Sequence, residues 1–538
     1  MEKININNFR RFCIKIFTWG FLGYFMWVFF NSIFRNSNDL IHYNMKKIIP
    51  VSIVIMIFMA LFVYFMNKVI LKNDFFNRNK KICLLITFII IFIAQVFLAK
   101  EIYYEVGWDA GALIRNAKAL VENKDSFDTA YFIRFPNNIL LLWIEKNIYI
   151  FSTWFTNISY EFLLVIINII LIDVSIFLAL LLADKLFNDN TIIISYCFAI
   201  LLILSLPWIV VSYTDSFCMI FPVLNIYLYF KIKEENKIRN KVIFSIIIGV
   251  LTIIGYQIKP TAVISLIAIV ISAILYSIKD KKSFVLCLSL GACIAASAIA
   301  TKVIYDNTLY NMQVNGIQFN DYEDDQIPMT HFLMMGLNTR DIENRGTIYG
   351  AWRQEDYDIT LSCKTKEEKV HANLNEYVSR VRNLGFTGYL NYLSKKGNWM
   401  LSDGTFYYGG EGFFAFSEPY SDSNLAKLIQ NYFSFEGENY KLQASFREAV
   451  WILVLCFIAI PLLFKKKNYE SEGLFLIRLT ITGITVFLLL FEGRARYFLN
   501  HIPLFIILAS YGFGRLYEVF INLSKKNIDI KAKDIIIK

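Results

Sequence analysis

The sequence predicts an all-α polytopic membrane protein of about 12 transmembrane helices, carrying a small mixed α/β domain outside the bilayer. Three observations predict it. Of 538 residues, 56% are hydrophobic and only 18% charged, against about a quarter charged in soluble chains. Apolar runs long enough to cross a bilayer as helices recur from end to end. Lys and Arg gather in short segments between alternate runs, as orientation by positive charge requires. The net charge of +10 is therefore read as topogenic, which argues against nucleic acid as a partner.

In chain order the expected spans are 13–34, 48–71, 81–100, 161–183, 191–212, 216–231, 242–258, 260–278, 283–304, 447–464, 474–491 and 498–522. A further run, 138–155, holds Glu145 and Lys146 at its centre, where a buried charge costs at least ~2.5 kcal/mol. Leaving it out puts the basic loops 68–81, 231–241, 279–282 and 465–467 on one side. The tail with Lys525, Lys526, Lys531, Lys533 and Lys538 joins them. That side is then the cytoplasm, whereas counting 138–155 as a span sets the two ends of the chain at odds. Residues 138–155 are expected as an interfacial helix, with Trp143, Tyr149 and Trp154 at headgroup depth. The basic start (Lys3, Arg10, Arg11) precedes a span with no small-residue cleavage site after it, which reads as a retained signal anchor.

Four regions follow. Residues 1–304 form an N-terminal transmembrane region with a first outer loop at 101–160. Residues 305–446 form an extracytoplasmic domain, and 447–522 supply the C-terminal spans. Residues 523–538 are a basic cytoplasmic tail. An amphipathic helix is expected near 366–384, before the aromatic, Gly-punctuated run 404–416. The protein is expected in the plasma membrane.

Metal and redox chemistry find little footing. Seven of the eight Cys lie in or beside apolar segments, leaving Cys363 alone in the polar region, and no C-x-x-C pair exists. The four His (His42, His331, His371, His501) lack ligand spacing. No cofactor is required, and the metal question stays open to a divalent ion such as Mg or Mn.

The polar residues at span ends on the outer side carry the functional reading. Glu105 and Asp109 open the first outer loop in E-V-G-W-D-A-G, and on a helix they would share a face. Asp215 ends the fifth span in Y-T-D-S. Lys259 lies between two apolar runs in G-Y-Q-I-K-P-T-A. Arg494 and Arg496 precede the last span in E-G-R-A-R-Y-F-L-N-H. Moving a sugar from a lipid phosphate needs a carboxylate to take the acceptor's proton and fixed cations for the departing phosphate. Span ends are where such a headgroup would lie while its tail stays in the bilayer.

These pieces together resemble the C-type (GT-C) integral-membrane glycosyltransferases, the superfamily of protein O-mannosyltransferases and lipid A aminoarabinose transferases. The resemblance runs across residues 81–522 in short stretches. It implies a GT-C-like fold, a polyprenyl-phosphate sugar donor, an extracytoplasmic site, interfacial helices in the first loop, and Asp109 as catalytic base. Several such enzymes carry adjacent acids in that loop. Here Asp109 stands between Trp108 and Ala110, with Glu105 one turn back, which leaves the second acid open.

The expected activity is inverting transfer of one sugar to a cell-envelope glycan, teichoic-type polymer or lipid. Asp109 acts as base; Lys259, Arg494 and Arg496 hold the phosphate; Asp215 orients the acceptor or binds an optional metal. His331, Asn338, Trp399 and Asp403, in H-F-L-M-M-G-L-N and N-W-M-L-S-D-G-T-F, are weaker candidates for acceptor binding. Packing alternatives stand beside these roles. Asp109 and Asp215 can cap helices, Lys259 can snorkel, and D-G at 403–404 is a common turn pair. Two other activities fit: a flippase for lipid-linked glycans, to which the mid-span Asp173 would suit, and a polysaccharide polymerase or ligase. Arg478, near a span end, is expected to snorkel.

Overall fold

The computed structural model describes residues 6–536 apart from 37, 39–40, 71, 123, 156, 188, 279, 311–317, 343–345, 411–418, 436 and 461–470. The side chains of 6, 70, 77, 124, 189, 320 and 523–536 also lie outside it. The lysines at 279 and 465–467, the tail lysines and the end of the run 404–416 therefore fall outside the described residues.

Among the described residues, eleven helices are long and apolar enough to cross a membrane. They follow the expected runs in order, except at the fifth. There the apolar helix covers only Asn190–Leu204, about 22 Å at ~1.5 Å per residue, against a hydrocarbon core of ~30 Å. Beyond it the chain leaves the helix, makes a short 3₁₀ turn at Pro207–Val210 and enters the next span at Thr214.

Opened backbone inside a bundle must find internal partners, and polar side chains from three other spans supply them. The Asn168 amide donates to the carbonyls of Trp208 (3.1 Å) and Ile209 (2.9 Å). Arg447 donates to Leu201 O at 2.7 Å and Ser205 Oγ at 2.9 Å. Gln95 donates to Leu204 O at 2.9 Å and also to Asp173 Oδ1 at 3.0 Å. Asp173 is thus held within the packing of the broken helix. Arg478 does not snorkel: it is fully buried, with Phe21 6.0 Å away, because its helix packs inside the bundle.

The ends of the bundle sort as the loops do. One end pairs Lys80 with Asp184 at 3.2 Å, Lys185 with Glu234, Lys233 with Glu472, and Asn67 with Asn190 at 2.6 Å. The opposite end carries Asp215, Lys259 and the 492–497 turn.

Residues 138–155 form the helix Ile139–Ser152, 14 residues long and too short to span. Trp143 and Trp154 are exposed, yet Glu145 is fully buried. Burial pushes its carboxyl well above the ordinary range.

Among the described residues, segment 305–446 is mainly helical, and its β content is one antiparallel hairpin, Thr339–Ile342 with Gly346–Tyr349, Thr339 opposite Tyr349. The helix expected near 366–384 runs Lys366–Leu401 and breaks at Gly385 (φ 62°). A capping box opens it: the Thr365 hydroxyl accepts from Glu368 N at 3.2 Å, and the Glu368 carboxylate accepts from Thr365 N at 3.3 Å. The second half of this bent helix turns back into the spans, so Ile348, Trp399, Leu401 and Phe406 share one continuous hydrophobic cluster with them.

Candidate functional site

Asp109 lies in the first turn of the helix Trp108–Glu122. It is not the cap: Gly107 O accepts the first helical bond, from Gly111 N at 2.9 Å. A carboxylate in the first turn is favoured by the helix dipole. The entry is tight. Trp108 has φ 50°, and a Cβ on Gly111 would sit 2.0 Å from Val106 O, so the chain needs glycine there.

Tyr131 reaches across to Asp109. Its short helix, Thr129–Arg134, is capped by Asp128, whose carboxylate accepts from Tyr131 N at 3.0 Å. The Tyr131 hydroxyl donates to Asp109 Oδ1 at 3.0 Å and accepts from the Asn138 amide at 2.7 Å. Burial and then the charge of Asp109 push the Tyr131 phenol upward, so it remains a donor.

Glu105 is placed differently from expectation. The helix begins only at Trp108, so Glu105 shares no helical face with Asp109. Its exposed carboxylate pairs with Arg115 at 3.7 Å, as a surface loop charge does.

The cations come from two turns. Lys259 is extended (φ −151°, ψ 117°) between Ile238–Ile258 and the 3₁₀ turn Pro260–Ala262, the backbone that a following proline selects. Its ammonium is ion-paired with Asp215, which is completely buried, and lies 4.7 Å from the centre of the Tyr497 ring. Lys259, expected at the phosphate, and Asp215, expected at the acceptor or a metal, are thus partners of each other. Oδ2 of Asp215 is buried without a hydrogen-bond partner among the described residues.

Arg494 and Arg496 stand on aromatic faces. Arg494 is 4.1 Å from the Tyr407 ring and 5.6 Å from Trp399. Arg496 is 5.0 Å from Tyr497 and 5.8 Å from Tyr213. Such stacking orients guanidinium groups while leaving their edges for anions. The buried Nη1 of Arg494 has no hydrogen-bond partner among the described residues.

Segment 305–446 builds the floor under the arginines. Glu492 N donates to Phe332 O at 2.8 Å, and Gly493 N to Gly350 O at 3.0 Å. The buried Lys396 donates to Gly336 O (2.8 Å), Leu489 O (3.2 Å) and Phe491 O (2.5 Å), closing the C-terminus of helix Glu472–Leu490. Asp403 organises the turn below Arg494, accepting from Thr405 N at 2.9 Å and Tyr407 N at 2.7 Å. Phe406 and Tyr407 there have φ 52° and 60°. With Trp108 they are the only non-glycine positive-φ residues among those described, and all three flank this site, where strain of this kind collects.

Two groups missed in the sequence tie the two halves together. Burial raises the Tyr213 phenol, and the groups it next feels are Asp109, Tyr131, Arg496 and Asp215. Glu492 accepts from the Tyr497 hydroxyl at 3.0 Å; burial raises its carboxyl, Arg496 and Arg494 lower it, and Asp109 raises it. Asp109, Asp215 with Lys259, and both arginines therefore gather around Tyr213 and Glu492. Glu492 was visible in E-G-R-A-R-Y. Tyr213 stood in Y-T-D-S, and nothing in the sequence singled out Tyr131.

The weaker candidates divide. Trp399 lines the site beside Arg494. His331 bonds Thr360 Oγ1 through Nδ1 at 2.7 Å. The Asn338 amide donates to Ala351 O and Asp356 Oδ2, each at 2.7 Å. Both are buried and hold segment 305–446 together, and Asp403 holds its turn; these three are structural. Among the described residues no three His, Cys, Asp or Glu side chains gather as a metal site.

A family model described as "Conserved hypothetical integral membrane protein" matches residues 6–515. A comparison with curated proteins gives no match.

Proposed function

On the premise that the chain belongs to this family of conserved hypothetical integral membrane proteins, we propose that it is a membrane glycosyltransferase. It moves one sugar from a polyprenyl phosphate to an extracytoplasmic acceptor, a cell-envelope glycan, teichoic-type polymer or lipid. The observation that carries this reading is the gathering of Asp109, with its Tyr131 donor, and the stacked Arg494 and Arg496 around Tyr213 and Glu492 at one end of the bundle.

The chemistry is one displacement. The acceptor oxygen attacks the anomeric carbon as its proton passes to Asp109. The bond from that carbon to the phosphate oxygen breaks, and its electron pair leaves on the phosphate. Arg494 and Arg496 hold the charge that develops there. The anomeric configuration inverts. Lys259 acts at one remove, by neutralising Asp215 and backing the Tyr497 ring. Asp173, the residue that suits a carrier, accepts from Gln95 at 3.0 Å.

The test uses full-length protein in lipid nanodiscs with labelled undecaprenyl-phosphoryl hexoses and a cell-envelope glycan fraction. Wild type should add single hexoses and Asp109→Asn should not. Full transfer by Asp109→Asn would remove the base. Faster lipid movement without transfer would favour a carrier, and a block-sized mass increase a polymerase.

A further inference from the structure

The mechanism above makes no use of an acid on the same turn as the two arginines. Glu492 sits two residues before Arg494 and four before Arg496, on the same turn. Its carboxylate accepts from the Tyr497 hydroxyl at 3.0 Å, and its backbone nitrogen donates to Phe332 O at 2.8 Å. Tyr497 is also the ring under Arg496 and Lys259. Glu492 thus lies among the cations that the proposed function assigns to phosphate.

The charges can be counted. Lys259 and Asp215 cancel. Lys396 faces Glu492 as well and donates to three main-chain carbonyls, but burial pulls its ammonium down to about 7, so at pH 8 it adds little charge. Around the reacting position, two arginines then stand against two carboxylates, Asp109 and Glu492. A sugar phosphodiester brings one more negative charge into a half-buried site, where an uncompensated charge is expensive.

Resting on the phosphate-binding reading, we propose that Glu492 is a built-in stand-in for the donor's phosphate. In the empty site its carboxylate balances Arg494 and Arg496. When the phosphodiester arrives it takes those arginines, and Glu492 accepts a proton from water. Donor binding is thereby coupled to uptake of one proton. Burial already biases Glu492 toward the protonated form, which lowers the cost of the exchange.

By linkage, a group that gains a proton on binding makes affinity rise as pH falls, by up to about tenfold per pH unit for one proton. The probe is a short-chain prenyl-phosphoryl-glucose, a phosphodiester with nothing titrating near neutrality, bound to full-length protein in nanodiscs. Wild type should bind it more tightly as pH falls from 8 to 6. Calorimetry in two buffers of different ionisation heat should show net proton uptake. Glu492→Gln should bind about tenfold more tightly at pH 8 and lose the pH dependence, whereas Asp109→Asn should keep it. No proton uptake by wild type overturns the proposal without any variant. A pH dependence that survives Glu492→Gln, or vanishes in Asp109→Asn, also overturns it while leaving the phosphate site standing. Binding indifferent to Arg494→Gln and Arg496→Gln removes the phosphate site itself, and this inference with it.

Discussion

The ammonium of Lys259 and the carboxylate of Asp215, 44 residues apart in the chain, form an ion pair at the end of the bundle that carries Asp109. Each explains the other. Asp215 is completely buried, and a lone carboxylate there would be costly to charge. Removing one partner leaves an uncompensated charge, at about 3–5 kcal/mol. Lys259→Met should therefore lower stability by that order in thermal unfolding, and Lys259→Met with Asp215→Asn should recover most of it. A Lys259→Met protein of unchanged stability that has lost donor affinity would return Lys259 to the phosphate.

Tyr131 donates to Asp109 at 3.0 Å. That bond fixes the orientation of the carboxylate proposed to take the acceptor's proton. Tyr131→Phe should lower the maximal transfer rate about 10-fold, in line with the loss of one hydrogen bond to a charged group, and leave the donor KM unchanged. A maximal rate equal to wild type would mean that this bond does not position the base.

Arg494 lies over the Tyr407 ring at 4.1 Å and 5.6 Å from the Trp399 ring. Lysine keeps the charge but has neither the planar fork nor the stacking surface. Arg494→Lys should raise the donor KM by about 10- to 100-fold, as loss of a charge-assisted contact implies, with little change in thermal stability. A KM that does not move would place the phosphate elsewhere.

His331 gives segment 305–446 a pH response. Burial holds its imidazole down at about 4, against the pull of Asp356, while in an unfolded chain it titrates near ~6.5. The unfolded state therefore binds the extra proton first as pH falls. This contribution is complete above ~6.5 and is lost between there and about 4; it amounts to about 3 kcal/mol. Unfolding midpoints between pH 7 and 4 should fall more steeply in wild type than in His331→Gln. Parallel curves would mean that the residue opens to water.

The spans were legible because apolar length is a local property. Run after run, from Lys80–Ile102 to Glu472–Leu490, needed only composition and the charges between runs. The break after Leu204 was not, since an apolar stretch reads alike as one helix or as a helix and a turn. What stabilises the break is Asn168, Arg447 and Gln95, each distant in sequence. The arginines and Asp109 stood out as charges at span ends. Tyr131 did not, among 31 tyrosines.

By itself the sequence determined that this chain is a multi-span helical membrane protein with its telling acids and bases at one set of span ends. Hydrophobic length and charge placement act through the bilayer, and both can be read along the chain. The tertiary structure alone decided which charges meet. It paired Lys259 with Asp215, parted Glu105 from Asp109, and brought Tyr131 to Asp109. Pairing depends on helix packing and backbone direction at each turn, and no local pattern encodes either.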